Sequence, residues 1–185
     1  MPRIDPLSPP YEPAADARLS GMMPAGAPPI ALFRTFARNM PMTDAIVGWG
    51  GYVLSAQLSL SLRDRELLID RTTARCGCEY EWGVHIAFFA EAAQLTPDQI
   101  RSLTHGAAGD RCWSERDRLL IELADALHDV ADIDDELWRR LVHEFTDAQL
   151  LDACMICGWY HAISYVATGA RVELEPGAPL FADVG

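Results

Sequence analysis

The sequence predicts an all-α protein: one folded helical domain preceded by an extended, proline-rich N-terminal arm. Three observations support this fold class. Apolar residues recur at helical spacing from Pro29 onward, sequences typical of helix N-caps recur along the chain, and no two neighbouring segments alternate apolar and polar residues as paired strands do. The length of 185 residues is that of one ordinary domain. We therefore expect a bundle of helices joined by short connections.

Residues 1–29 are expected to form the arm, because eight of the twelve prolines lie between Pro2 and Pro29. Proline has a fixed φ and no amide donor, which excludes it from helix interiors and central strands. The arm is either a loose tail or a strap across the domain or a neighbouring subunit. Its apolar residues Ile4, Leu7 and Tyr11 favour the strap.

A helical domain over residues 30–175 is expected to follow, with a tail over residues 176–185. The predicted helices span residues 30–39, 42–58, 62–75, 78–93, 97–103, 115–128, 133 or 135 to 144, and 147–168. Ser61, Thr96, Ser114 and Thr146 resemble N-caps, since their hydroxyls could bind the first free amides of a helix. Gly169 is expected to end the last helix, and a short extended run, 171–174, follows it.

Composition excludes several classes of function. The net charge of −12 argues against nucleic-acid binding. Every cation is arginine, so Schiff-base chemistry on lysine is excluded. No unbroken apolar run reaches the roughly 18 residues that span a membrane, and the N-terminus lacks a secretory signal pattern. Five cysteines, an odd number, suggest reduced thiols. We expect a cytoplasmic protein, not bound to membranes, that acts on a small molecule without a cofactor.

One cluster of residues could form an active site: Glu66, Cys78, Glu81 and His85. Cys78, Glu81 and His85 stand at i, i+3 and i+7 and so share one helix face. Glu66 lies on the apolar face of the preceding helix, where a buried carboxylate needs a partner such as a histidine. In the first turn of its helix, Cys78 would be favoured as a thiolate by the free amides and the helix dipole.

These residue types suit proton transfer. Histidine exchanges a proton near neutral pH, one carboxylate beside it fixes its tautomer, and a second carboxylate can serve as a general acid. Cys78 could be a nucleophile, a redox centre or a small apolar plug. We also expect His161 to face the same pocket as His85, Arg75 to attract an acidic substrate, and Trp82 to line the pocket or the core.

The segment from Arg65 to Ile69 and the run Cys76-Gly77-Cys78-Glu79-Tyr80-Glu81-Trp82-Gly83-Val84-His85 resemble the carboxymuconolactone decarboxylase family. The resemblance covers roughly residues 30–175 and includes Trp159-Tyr160. It implies a fold shared with alkyl hydroperoxidase D, and it implies a homo-oligomer, a trimer or a hexamer.

In the hydroperoxidase branch of this family, a glutamate, a CxxC pair and a histidine form a proton relay to a redox disulfide. Glu66, Cys78 and His85 match the glutamate, the first cysteine and the histidine, but the second cysteine is replaced by Glu81. The resemblance therefore favours acid/base chemistry, such as decarboxylation or isomerisation of a small lactone or carbonyl acid. A thiol-dependent, peroxiredoxin-type peroxidase or disulfide reductase using Cys78 is one alternative, and a non-enzymatic binding or scaffold subunit is another.

Two further patterns are weaker. The CxxC of Cys154 and Cys157, followed by His161, repeats the hydroperoxidase spacing, but it lies in the middle of an apolar helix without a helix terminus to activate the thiol. Ligand types would allow a zinc site from Cys76, Cys78, His85 and His161. No paired CxxC or HxxxH pattern supports it, so we predict no metal.

Overall fold

The computed structural model describes all 185 residues and contains nine α-helices and no β-strand. The helices are α1 Pro13–Gly21, α2 Ala31–Phe36, α3 Met40–Val53, α4 Leu62–Arg75, α5 Glu79–Phe89, α6 Pro97–His105, α7 Glu115–Val130, α8 Asp135–Glu144 and α9 Asp147–Ala170. A single 3₁₀ turn, Phe181–Val184, follows them. The predicted all-α fold class is confirmed.

The predicted N-caps begin the helices that they were expected to begin. Ser61, Thr96, Ser114 and Thr146 each accept a hydrogen bond from the backbone amide three residues on, and each takes part in a reciprocal capping box. Of the two aspartates considered for α8, Asp134 is the cap. Local side-chain chemistry therefore sets the start of most helices in the bundle.

The arm is not extended throughout, because residues 13–21 form α1. Pro13 lies at the first position of this helix, where no amide donor is needed, and the ten residues after it contain no proline. Before α1, the chain lies along the bundle: the amide of Arg3 donates to the carbonyl of Ala170 at 2.7 Å, and that of Leu7 to the carbonyl of Arg34 at 3.1 Å.

The C-terminal end of the domain also differs from the prediction. Gly169 lies inside α9, which ends at Ala170 and is capped by Arg171 in the left-handed region, with φ +53°. Residues 171–174 form no strand, because a lone extended segment has no partner strand to pair with. The tail crosses α5 at Gly83, where an added Cβ would lie 2.5 Å from the carbonyl oxygen of Pro179.

Helix α4 lies at the centre of the bundle and packs on α5, α6, α7 and α9. All ten residues from Asp64 to Thr73 are buried, including five that are charged in water. Most of these charges have partners: Arg71 pairs with Asp125 at 2.6 Å, and Asp64 with Arg116 at 2.8 Å. Removal of one partner would leave the other as an uncompensated buried charge, so these ion pairs constrain how the helices pack.

Helix α9 is long and apolar enough to cross a membrane by length and composition. Half of its most apolar window is buried inside the bundle, however, as in the core helix of a soluble protein. Its outward face carries Leu151, Met155 and Tyr165, which are more than half exposed. An exposed apolar face suits subunit contact, and the homo-oligomer stays a prediction.

Candidate active site

The site lies where the middle of α4 meets the first two turns of α5. Glu66 projects from α4, and Glu81 and His85 project from one face of α5. The sharp connection between these helices contains Gly77 with φ +63°, a conformation that glycine adopts without strain. This turn folds α5 back against α4, so that residues nineteen positions apart meet.

His85 stands between two carboxylates. Its Nδ1 lies 2.8 Å from Oε2 of Glu66 and, because an ionised carboxylate only accepts, Nδ1–H is the donor. On the other side of the ring, Nε2 lies 3.6 Å from Oε1 of Glu81, an ion-pair distance that is too long for a hydrogen bond. The second oxygen of Glu66 accepts a hydrogen bond from Nε of Arg65 at 2.6 Å. The order of groups is therefore Arg65, Glu66, His85, Glu81.

The neighbouring carboxylates favour the charged form of His85. Burial of the ring opposes protonation, but the charge of Glu66 and its hydrogen bond, followed by the smaller contribution of Glu81, outweigh burial and raise the pKa of His85 to about 10. At neutral pH the ring is an imidazolium that holds a transferable proton on Nε2. In its resting state, His85 is therefore a proton donor.

Asp70 lies one turn beyond Glu66 on α4 and is fully buried. Neither of its carboxyl oxygens has a hydrogen-bond partner. Burial, and next the charge of Glu66, raise its pKa well above the usual range, which favours the protonated, neutral form of Asp70. With Asp70 neutral, the charges of Arg65, Glu66, His85 and Glu81 sum to zero, which lowers the cost of burying all four together.

A cavity of about 420 Å³ opens onto His85 and Glu81. Fifteen of the 21 residues that line it are hydrophobic, and no arginine is among them. Phe33, Phe88 and Phe89 contribute part of the wall. The arm contributes Met22, Met23 and Pro24. A ligand in this cavity would contact a largely apolar surface and one acid/base pair, Glu81 and His85.

Tyr160 of α9 also lines the cavity and packs edge-on against His85, with ring centroids 5.1 Å apart. Burial, reinforced by the charges of Glu81 and Glu66, raises the pKa of Tyr160 well above its ordinary value. The phenol therefore stays neutral and can supply a hydrogen bond to a ligand oxygen.

Cys78 does not line this cavity, and its expected thiolate character is wrong. The side chain is 1 % exposed and packs in a small apolar cluster that includes Leu32, Phe36 and Ile163. Cys78 is the N-cap of α5, one position before the first turn in which it was expected, but burial outweighs the hydrogen bond from the amide of Glu81 and raises the pKa of the thiol. The structure therefore supports the interpretation of Cys78 as a small side chain that fills space in the apolar packing.

Three residues considered as substrate contacts lie elsewhere, and for Trp82 the core alternative is the one that the structure shows. Trp82 is fully buried in the main core against Phe181, because it projects from the opposite side of α5. His161 lies in a second cleft, since its position on α9 faces α7 rather than α5. Arg75 lines that second cleft and pairs with Asp125 at 3.3 Å, so it is not available to attract a substrate to His85.

The sequence interpretation missed Arg65, Asp70 and Tyr160. Asp70 stands four residues after Glu66, and this helical spacing was the available signal for it. Arg65 is adjacent to Glu66 in sequence, and its role required the observation that both side chains are buried. The arm residues that line the cavity carried no signal, because nothing local to them indicates which helix they contact.

Residues 41–125 match the sequence profile of the carboxymuconolactone decarboxylase family, which agrees with the resemblance noted above. Among curated proteins, no sequence match to this chain was found.

Several solved structures share the fold at low identity. A peroxidase-related protein from Ralstonia eutropha JMP134, described as an alkylhydroperoxidase AhpD core, has a TM-score of 0.79 and 16 % identity, covering 94 % of this chain and 93 % of its own. A peroxidase-related protein from Silicibacter sp. TM1040 has a TM-score of 0.76 and 17 % identity, covering 96 % of each chain. The debrominase Bmp8, in complex with 2,3,4-tribromopyrrole, has a TM-score of 0.78 and 13 % identity, covering 98 % of this chain and 97 % of its own. These likenesses show an alkyl hydroperoxidase D-like fold.

Proposed function

We propose that this chain, whose residues 41–125 match the carboxymuconolactone decarboxylase family, is a cofactor-independent enzyme of proton transfer. The observation that carries the proposal is the position of His85, charged and buried between Glu66 and Glu81 at the base of an apolar cavity. Glu81 and His85 are the proposed catalytic residues. Glu66 is a positioning residue, because it acts on substrate only through His85.

The cavity indicates the class of substrate. Its walls are largely apolar, and His85 is the one cationic group among its lining residues. We therefore infer a small carbonyl compound, such as a ketone, a lactone or a β-keto acid, whose oxygen contacts His85 while its hydrocarbon part fills the cavity. A dicarboxylic acid fits less well, because a second carboxylate would have no partner.

In the proposed reaction, the Glu81 carboxylate takes a proton from the carbon next to the carbonyl group. The electron pair of the broken C–H bond moves toward the carbonyl oxygen, which receives the Nε2 proton of His85, and an enol forms. When the substrate also carries a neighbouring C=C bond, the enol is a dienol: Glu81 returns its proton to the far carbon of the dienol while the O–H proton returns to Nε2 of His85, and the double bond has then moved. The hydrogen bond from Nδ1 to Glu66 stabilises the imidazolium before this transfer and holds the ring in place during it.

Decarboxylation would use the same contacts. When a β-keto acid loses CO₂, the electron pair of the broken C–C bond moves to the carbonyl oxygen, and protonation by His85 converts the resulting enolate to an enol. The apolar cavity strengthens the interaction between the imidazolium and the developing negative charge, because little water screens it.

The thiol-dependent alternative has less support, because Cys78 is buried outside the cavity and its thiol is held in the protonated form. No cysteine is among the residues that line the cavity. A substitution of Cys78 is therefore a useful control: Cys78→Ala should retain the activity that variants of His85 and Glu81 lose.

The proposal is tested by hydrogen–deuterium exchange at carbon. Wild-type protein in D₂O is incubated with a panel of small ketones, lactones and β-keto acids. NMR then follows either the loss of the substrate's C–H signal by exchange or the conversion of the substrate by decarboxylation. We expect activity on at least one compound, and a decrease of roughly 10²–10⁴-fold in Glu81→Gln and in His85→Gln. Full activity in Glu81→Gln would contradict its role as base. Binding of a compound without exchange or decarboxylation would favour the non-enzymatic alternative.

A further inference from the structure

A second cluster of reactive side chains lies in a cleft of about 550 Å³ between α4, α7 and α9, which shares no lining residue with the cavity at His85. Cys76 follows α4, His128 stands near the end of α7, and His161 lies in the middle of α9. Cys76 Sγ, one ring nitrogen of His128 and one of His161 all lie within 4.8 Å of one another. All three residues are partly exposed.

The ring of His161 is held in the tautomer that a metal ligand requires. Its Nδ1 lies 2.9 Å from the carbonyl oxygen of Cys157, and since a carbonyl only accepts, Nδ1 carries the proton. In the neutral ring, Nε2 then carries the lone pair, and it faces Nδ1 of His128 across 3.0 Å. A histidine with one nitrogen fixed by a backbone carbonyl and the other directed at a shared point is typical of metal sites.

His128 supplies the third potential ligand atom of the cluster. Its Nδ1 lies 3.0 Å from Nε2 of His161 and 3.9 Å from Sγ of Cys76. For a tetrahedral zinc ion, with Zn–N of 2.0–2.1 Å and Zn–S of about 2.3 Å, the expected separations are about 3.3 Å between two nitrogens and about 3.6 Å between nitrogen and sulfur. Both observed distances are within about 0.3 Å of these values, and the third pair, Sγ of Cys76 and the His161 nitrogen, lies within 4.8 Å, so the three partly exposed side chains would have to close around the ion.

We propose that Cys76, His128 and His161 bind a zinc ion through Sγ, Nδ1 and Nε2, with the fourth coordination position open to the cleft. One thiolate with two imidazoles is a ligand set that Zn²⁺ prefers over Mg²⁺ or Ca²⁺, which take oxygen ligands. Three protein ligands and an open position are the arrangement of zinc sites that bind water or a small ligand.

This zinc site differs from the one that the sequence allowed. That set contained Cys78 and His85, which the structure places in the apolar cluster and in the acid/base site. His128 takes their place, although it lies 33 residues from His161 and 52 from Cys76 in the chain. No local pattern could have revealed it, because the three ligands come from three separate parts of the chain: the end of α4, α7 and α9.

The charges around the cluster permit a cation. Arg75 faces the cleft, and its positive charge alone would oppose a metal ion. Its guanidinium is paired with Asp125 at 3.3 Å and also with Asp129, however, and Asp125 is shared with Arg71, so these four groups together carry no net charge.

The test is metal binding by the full chain without a histidine tag. After treatment with a chelator, the protein is titrated with Zn²⁺ by calorimetry and with Co²⁺ by absorption spectroscopy. We expect one ion per chain and, with Co²⁺, a charge-transfer band from thiolate to metal. Loss even of a residue that only supports a ligand costs 10–100-fold in affinity, so Cys76→Ser, His128→Gln and His161→Gln should each weaken Zn²⁺ binding by more than about 100-fold.

Two matched controls separate this site from incidental binding. Cys112→Ser and His143→Gln replace residues of the same types that lie outside the cleft, and both should bind Zn²⁺ as the wild type does. Equal weakening in the controls would overturn the proposal. So would the absence of stoichiometric binding, or a Co²⁺ spectrum without the thiolate band, in the wild-type protein itself. Because the last two results need no variant, a variant that fails to fold does not leave the proposal untested.

Discussion

His85 and His128 are both histidines beside reactive groups, but their surroundings give them opposite charge states. His85 is buried between two carboxylates, which raise its pKa to about 10. His128 faces His161 and Arg75 in an open cleft, where burial and these neighbours lower its pKa. The first histidine is charged at neutral pH and can donate a proton, whereas the second is neutral and can bind a metal ion.

The comparison shows why spacing alone is a poor guide to function in this chain. A cysteine precedes His85 by seven residues, and Cys154 precedes His161 by the same interval. In α5 the thiol turns away into apolar packing, and carboxylates surround the histidine. In α9 the histidine meets a cysteine and a histidine from other helices. The partners that the fold supplies, and not the spacing, determine the chemistry available to each histidine.

Glu66→Gln should have the largest effect on the difference in charge state between His85 and His128. The amide keeps the shape of the side chain but removes the charge that stabilises the imidazolium, so the pKa of His85 should fall and carbon-proton exchange should decrease by roughly 100-fold or more. Glu91→Gln, at an exposed carboxylate beyond the end of α5, is the matched control and should leave both unchanged.

The same variant should change how stability depends on pH. Because the folded pKa of His85, about 10, exceeds its ordinary value of 6.5, its contribution to stability is fully present below pH 6.5 and is lost as pH rises to about 10. Urea unfolding of the wild type should therefore show a declining free energy of unfolding over this range. Glu66→Gln should show a flatter profile, and an identical slope in the two proteins would mean that Glu66 does not hold the proton on His85.

Asp70→Asn should have a smaller effect than Glu66→Gln, and it should stabilise the protein at neutral pH. The pKa of Asp70 is raised in the folded protein, whereas in the unfolded chain the group ionises above its ordinary pKa of 3.8, so the wild type loses stability as pH rises through that value. Asparagine is similar in shape and cannot ionise. The variant should therefore unfold at a higher temperature at neutral pH, by about 2–4 °C for each kcal/mol gained.

The exposed substitution Glu136→Gln controls for the loss of a carboxylate, and its melting temperature should stay near that of the wild type. A large drop in the melting temperature of Asp70→Asn would show instead that the buried carboxyl is needed in its ionised form.

Much of the fold could be predicted from local chemistry. Ser61, Thr96, Ser114 and Thr146 carry their capping function in their own side chains, so the starts of four helices follow from the sequence. The arm was predicted less well, because proline-rich flanks obscured the short proline-free stretch that forms α1.

The candidate site likewise contains residues that the sequence could predict and residues that it could not. Glu66, Glu81 and His85 could be grouped because they lie on two adjacent helices joined by a short turn, where helical periodicity decides which faces meet. Tyr160 and the contact between His128 and His161 depend on how α7 and α9 cross the bundle. Such long-range contacts follow from the packing of the whole chain, and no local spacing encodes them.

The most direct test of the account is the titration of the five histidines by NMR in ¹⁵N-labelled protein, with His85 and His128 assigned from their glutamine variants. We predict that both ring nitrogens of His85 stay protonated through neutral pH and that the ring loses its proton near pH 10, whereas His128 loses its proton at a lower pH than an ordinary histidine. Titration of His85 at or below pH 6.5 would contradict the account, because the proposed proton donor would then be uncharged in the resting protein.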